Sequence, residues 1–366
     1  MPQNHRPTIV LDVMGADGGP ARIVEGGVAA ARALLGSAGF VLVGHRDEIT
    51  ALLGHTRDVP GNIRIEHAPN VVPMDIAATE GVRIKDSSVA VGVRLVRDGK
   101  ADAFVSPGNT GAVMATSLLT LGRIEGVMRP ALAGAFPTSR GRPCVVLDVG
   151  ANADCKPQHL SQFAVLGSVY SQVAFHFESP RVGLLSIGEE RSKGNELIHR
   201  ARGLLSGSKI NFVGNVEGRD VLSGNIEVAV TDGFTGNILL KFAESIEPLL
   251  VKAVTHQVNT NIFSRFGAML LLPFLRRMRR TLDYAETGGA PLLGVNGIVF
   301  VCHGSSSARA ITNALALAYE MAANEINKRI HKELITNHFG KSNGVDSESQ
   351  NLRDGVLYPA GGDDQR

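Results

Sequence analysis

The sequence predicts an α/β fold built on a largely parallel sheet, and three observations predict it. Six apolar runs recur along the 366 residues, each followed by a polar, glycine-containing turn and then by a helical pattern. The runs are continuous stretches rich in Val, Ile and Leu, which is how strands buried on both faces read. Glycine is abundant, at 42 residues, while Trp is absent and aromatics make up 5%, a composition that lets helices lie close to a sheet.

In chain order the units are "TIVLDVMGADGGP", "FVSPGNTGAVMA", "CVVLDVGANADC", "VGLLSIGEERSKGN", "EVAVTDGFTGNILL" and "GIVFVCHGSSSARAITNA". Strands alternating with helices imply parallel pairing with both faces covered. Ligands of such sheets bind beyond the carboxyl ends of the strands, so all six turns are expected at one rim. Two helices are explicit. Ile238, Leu239, Phe242, Ile246, Leu249, Leu250 and Ala253 share one face, as do Ile311, Leu315, Ala318, Ala322 and Ile326. Residues 1–335 read as one large unit. The remainder, 336–366, is expected to be a disordered tail, polar and Gly-rich from about Gly340.

Composition bounds the function. Cys144, Cys155 and Cys302 cannot form an even disulfide framework, so reduced thiols in a cytoplasmic protein are expected. The N-terminal stretch lacks an apolar signal core, and no apolar run reaches the roughly 18 residues of a bilayer span. The net charge of +2 hides an asymmetry: residues 264–280, "SRFGAMLLLPFLRRMRR", hold five arginines and no acid. The rest of the chain is slightly acidic, which gives no case for a nucleic-acid partner.

The turns carry the candidate chemistry. Helix N-termini present unpaired N–H groups and bind anions. In "HGSSSAR", Ser305, Ser306 and Ser307 sit where a helix begins; one suffices as a cap, leaving the others for a ligand. Ser106, Gly108, Asn109, Thr110 and Gly111 of "SPGNTG" form a second, uncharged cradle. Lys193, beside Asn195, is a compact charge suited to phosphate. Asp12, Asp148 and Asp232, with Asp17 and Asp154, fit turn-capping, substrate or metal roles. Gly15, Asn152, Thr235 and Asn237 share those turns. His303 is a capable acid or base, although a structural role fits as well; Cys302 is a weaker candidate nucleophile. No G-x-G-x-x-G follows a strand, and the "GKS" at Gly340 has Ile335 where a phosphate loop needs glycine. Phe266, Leu270 and Leu271 beside Arg276, Arg277, Arg279 and Arg280 read as a surface for anionic lipid, an acidic protein, a buried helix with a solvated basic end, or a dimer contact.

"LDVMGADGGP", "VSPGNTGAVMA", "LDVGANADCKP", "IGEERSKGN", "NFVGNVEGRD", "VTDGFTGN" and "NGIVFVCHGSSSARAITNA" occur in one order over roughly residues 8 to 332. Together they resemble the bacterial phosphate acyltransferases of phospholipid synthesis. The resemblance implies a Rossmann-like α/β/α sandwich related to phosphate acetyltransferase and isopropylmalate dehydrogenase. It implies a catalytic domain over 1–335 that moves a fatty acyl group from acyl carrier protein to inorganic phosphate. It also implies a cytoplasmic homodimer, peripherally attached to the membrane through a segment at about 260–285. A membrane-bound glycerol-3-phosphate acyltransferase would consume the product, and no metal or organic cofactor is expected.

Such a reaction must hold a phosphate dianion against a thioester carbonyl, stabilise an oxyanion and release a thiolate. Positioning and electrostatics supply most of that. Lys193 and Asn195, with the turn at Ser305–Ser307, are expected to hold phosphate and oxyanion, with Asn109 and Thr110 completing the cradle. His303 would protonate the thiolate, and Asp232, Thr235 and Asn237 would shape the site. A metal- and NAD-dependent decarboxylating dehydrogenase of similar fold and a non-enzymatic membrane scaffold are the alternatives.

Overall fold

The structure, a computed structural model, describes residues 6–258, 267–271, 274 and 288–339. The strands are β1 (Thr8–Asp12), β2 (Gly39–Gly44), β3 (Ile63–His67), β4 (Ala103–Ser106), β5 (Ala131–Phe136), β6 (Cys144–Leu147), β7 (Val182–Leu185), β8 (Phe212–Val216), β9 (Val228–Val230), β10 (Ala290–Leu293) and β11 (Ile298–Val301). The helices are α1 (Ala21–Ala33), α2 (Arg46–Gly54), α3 (Ala78–Gly81), α4 (Ser88–Arg97), α5 (Thr110–Leu121), α6 (Pro157–Phe175), α7 (Glu196–Ser206), α8 (Gly218–Ser223), α9 (Gly233–Val258), α10 (Ala308–Ala323) and α11 (Ile326–Thr336).

All six apolar runs are strands. They are continuous because both faces of the sheet are covered. Along β1, Ile9 and Leu11 join the core under α1, α6 and α10, while Val10 joins the one on the other face, under α4 and α5. Each of the three is fully buried. The C-terminal helix pattern holds as well: Ile311, Leu315 and Ala318 of α10 are fully buried. Ile326, equally buried, already belongs to α11, because the chain breaks helix at Asn324 and Glu325.

The strands form one sheet in the order β3-β2-β1-β4-β11-β10-β5-β6-β9-β7-β8. β3, β2, β1, β4 and β11 are mutually parallel, and so are β6, β9, β7 and β8. Between them the pairings β11–β10, β10–β5 and β5–β6 are all antiparallel. Three reversals leave the two parallel blocks pointing in opposite directions. This corrects the expectation of one rim. The turns after β1, β4 and β11 emerge at one end of the sheet, and those after β6, β7 and β9 at the other.

The face expected on α9 also differs. Ile238, Phe242 and Leu249 are more than half exposed, while Leu239, Leu240 and Ala243 pack against the core. The helix reaches the sheet over β5 and β6, and its described apolar residues Phe234, Ile238, Phe242, Leu249 and Val251 lie outside that contact. Among the described residues no helix is long and apolar enough to cross a membrane. Of the tail expected at 336–366, the first four residues belong instead to the body: Thr336 ends α11, Asn337 is buried and accepts the Lys209 N–H, and Phe339 packs on the core, while 340–366 lie outside the described residues.

Candidate active site

Equivalent turns follow β1 and β6, each opening with "LDV". Asp12 ends β1 and accepts hydrogen bonds from Ser106 Oγ (2.7 Å) and the Met14 N–H (3.1 Å). Burial pushes its carboxyl above the usual carboxylate range, and these hydrogen bonds oppose the shift. Ser106 Oγ in turn accepts the Gly108 N–H at 3.1 Å. Gly15 lies against Gly108: a Cβ there would stand 2.6 Å from the Gly108 Cα, so only glycine lets these two turns meet. Asp148 does the same work in the other block. It accepts the N–H groups of Leu132, Gly150, Ala151 and Asn152 at 2.7–3.1 Å, together with Asn152 Nδ2 at 2.8 Å. Burial raises its pKa too. Asp12 and Asp148 are turn anchors, the first of the three roles open to them.

Several expected ligand groups are spent in the same way. Asn109 caps α5 through Oδ1, accepting the Ala112 N–H at 3.0 Å, while its amide donates to the carbonyls of Met74 and Ile76. Gly111 lies against Ala78 at the start of α3. Asn152 Nδ2 also donates to the Pro130 carbonyl at 2.7 Å. Asp232 accepts both the N–H and the hydroxyl of Thr235 at the start of α9.

What remains converges on a cavity of about 290 Å³. The cavity lies where α9 crosses the antiparallel centre of the sheet. Its polar lining includes Thr110 at the first turn of α5, His303 and Ser306 after β11, and Asn237, Lys241 and Glu244 on α9. Its floor is apolar: Leu132, Ala135, Val149, Leu240, Ala290 and Val301, with Gly134 and Gly289 between them. α9 therefore bridges the two blocks. It starts after β9 at one end of the sheet and passes over β6 and β5, so its side chains face residues of the other end.

The three serines divide their work. Ser307 is the cap of α10, accepting the Ala310 N–H at 3.1 Å. Ser305 donates its backbone N–H to His303 Nδ1 (3.2 Å), and its hydroxyl lies 2.8 Å from the same nitrogen. Ser306, nearly buried, faces the cavity. A backbone N–H aimed at Nδ1 needs a lone pair there, which puts the proton of neutral His303 on Nε2. Cys302 also lines the cavity, but burial pushes its thiol up to about 12, so it is a poor nucleophile.

Lys193 and Asn195 do not line the cavity formed by this chain. Their turn follows β7, which points away from β11. Asn195 caps α7, accepting the Ile198 N–H at 3.0 Å. The exposed Lys193 sits on a loop pinned by Asn215, whose amide donates to the carbonyls of Glu190 and Lys193. Of the segment at 260–285, Leu270, Leu271, Met269 and Phe274 are each more than half exposed. Phe266, Arg276, Arg277, Arg279 and Arg280 lie outside the described residues. Sequence reasoning missed Lys241, Glu244 and the apolar floor. The signal for the first two was present, because Asn237, Lys241 and Glu244 are spaced four and three apart on one helical face.

The family model described as "Fatty acid synthesis protein" matches residues 7–329. The chain is 50% identical over 318 residues to a phosphate acyltransferase of Myxococcus xanthus, covering 86% of this chain and 90% of that protein. It is 46% identical over 327 residues to a phosphate acyltransferase of Pelotomaculum thermopropionicum, covering 89% and 94%. Among solved structures, a phosphotransacetylase from Streptococcus pyogenes superposes with a TM-score of 0.58 at 18% identity, covering 87% of this chain and 94% of that one. A branched-chain phosphotransacylase from Enterococcus faecalis gives 0.53 at 13% identity, covering 86% and 99%. These two share the α/β sandwich fold.

Proposed function

The chain belongs to the bacterial phosphate acyltransferase family and transfers an acyl group to phosphate; from that premise we propose that the donor is a fatty acyl thioester of acyl carrier protein and that the reaction runs in the cavity beneath α9. One observation carries this reading: the cavity joins a hydrogen-bonding end, with Thr110, His303 and Ser306, to an apolar floor. An acyl phosphate has these two ends.

An oxygen of hydrogen phosphate attacks the thioester carbonyl carbon. A C–O bond forms, the C–S bond breaks, and the phosphate proton ends on the departing sulfur as the carrier thiol. A thiol of pKa near 8.5 leaves readily, so the site's work is placement and charge. Thr110, Ser306 and the starts of α5 and α10 offer donors to the oxyanion. His303 Nε2–H is placed to hydrogen-bond the thioester carbonyl oxygen and the oxyanion that forms from it. Asn237 fixes the α9 side of the cavity.

The exposed apolar stripe Phe234, Ile238 and Phe242 on α9 supports a homodimer. The exposed Met269, Leu270, Leu271 and Phe274, followed in sequence by the arginines at 276–280, support peripheral attachment to an anionic membrane from the cytoplasmic side. There the acyl phosphate would pass to a membrane-bound glycerol-3-phosphate acyltransferase. Flotation with anionic vesicles tests the attachment: recovery equal to that with neutral vesicles would count against it. The chemistry is tested with the full chain, an acyl carrier protein thioester and labelled inorganic phosphate. Labelled acyl phosphate should accumulate one for one with free thiol, and thiol release without labelled product would overturn the reading.

A further inference from the structure

A dianionic nucleophile beside an apolar floor needs a cation, because leaving buried negative charge unpaired is costly. Among the described residues that line the cavity, Lys241 alone carries a permanent positive charge. Lys241 and Glu244 line the cavity from α9, with the lysine at its solvent-facing mouth, while Phe234, Ile238 and Phe242 of the same helix are each more than half exposed. Lys241 lies one helical turn beyond Asn237, about 6 Å further along the axis, on the same face of the helix.

Building on the proposed acyl transfer to phosphate, we propose that Lys241 is the cation that binds the phosphate acceptor, with Glu244 as the counter-ion that competes for it. Lys241 Nζ lies 3.0 Å from Glu244 Oε2, with the lysine side chain 59% exposed and the glutamate 21%. An i,i+3 pair this accessible to water holds its partners weakly. The four-carbon stem can therefore swing the ammonium from Glu244 to a phosphate oxygen without disturbing the helix. The carboxylate aims the ammonium along the wall and sets how strongly it prefers a dianion.

The test is steady-state kinetics of the full chain with an acyl carrier protein thioester and varied inorganic phosphate. Lys241→Met should raise the phosphate KM tenfold or more and leave the thioester KM within about twofold. Lys241→Arg should recover part of the loss. Glu244→Gln should move the phosphate KM the other way, about twofold to fivefold lower. A purely structural ion pair would instead make both single variants equally harmful. Lys252→Met, which removes an exposed lysine further along α9, controls for net charge and should behave as wild type. A phosphate KM unchanged in Lys241→Met, or raised equally by Glu244→Gln, would overturn the assignment. Should the wild type itself make no acyl phosphate, the acyl-transfer reading fails rather than the role of Lys241. Melting temperatures of all variants keep loss of fold separate from loss of phosphate.

Discussion

The hydroxyl of Ser106 donates to Asp12 Oδ2 at 2.7 Å, joining the carboxyl ends of two adjacent parallel strands. Both residues are fully buried. The same hydroxyl accepts the Gly108 N–H, so it sets the turn that leads into α5 and Thr110. Ser106→Ala strips a donor from a buried carboxyl and an acceptor from a buried amide. The expected cost is about 1–3 kcal/mol, read as a lower urea midpoint at unchanged slope. A midpoint equal to wild type would mean that the turn is held by something else.

His303 sits at the cavity with Nδ1 occupied by Ser305. His303→Gln should lower turnover by about a hundredfold, at the lower end of what one oxyanion hydrogen-bond donor contributes, with the phosphate KM little changed. Ser305→Ala keeps the imidazole and the backbone hydrogen bond but removes the hydroxyl, so a milder loss is expected. If both variants turn over at the wild-type rate, the ring has no part in the chemistry.

The sequence showed the strands plainly, since burial on both faces leaves continuous apolar runs such as "TIVLDV" and "GIVFV". Their relative direction was not legible. It depends on β5 and β10, which lie outside the six repeated units and whose antiparallel pairing reverses the second block. That reversal takes the Lys193 turn to the far end of the sheet and makes α9 the bridge. His303, Ser306, Thr110 and Asn237 could be found because turns after strands draw attention. Lys241 and Glu244 were hidden inside a helix whose exposed apolar residues read as its core face. Asn109 and Asn152 carry the polar groups a ligand would want, but their amides donate to backbone carbonyls far away in the chain, and sequence spacing does not show such contacts.

Ala135 lies on the apolar floor and is nearly buried. Ala135→Leu adds three carbons where the floor would meet the acyl chain, displacing about two or three methylenes. Each buried methylene is worth about 0.8 kcal/mol, so long-chain thioesters should lose roughly tenfold to a hundredfold in kcat/KM relative to short ones. The measurement is a competition between thioesters of graded chain length. An unchanged preference would place the chain outside this cavity.

His159 supplies a prediction about acid stability. It stands in the first turn of α6, buried, with Nδ1 accepting the Lys156 backbone N–H at 3.0 Å. Burial, then the nearby Arg129 and Lys156, lower its pKa from 6.5 to about 4. The folded chain thus resists a proton that the unfolded chain accepts. The stability held by the neutral ring is complete above about pH 6.5 and is lost as pH falls toward 4. A shift of that size corresponds to about 2 kcal/mol after allowance for partial solvent screening. His159→Gln keeps an acceptor at a position where Gln is a normal capping partner but cannot titrate. Its stability relative to wild type should therefore rise by about 2 kcal/mol between pH 7 and pH 4.5, while carboxylates that titrate in that window cancel in the difference. Urea midpoints of the two proteins measured across that range decide the matter, and parallel curves would show that the wild-type imidazole is protonated in the folded state.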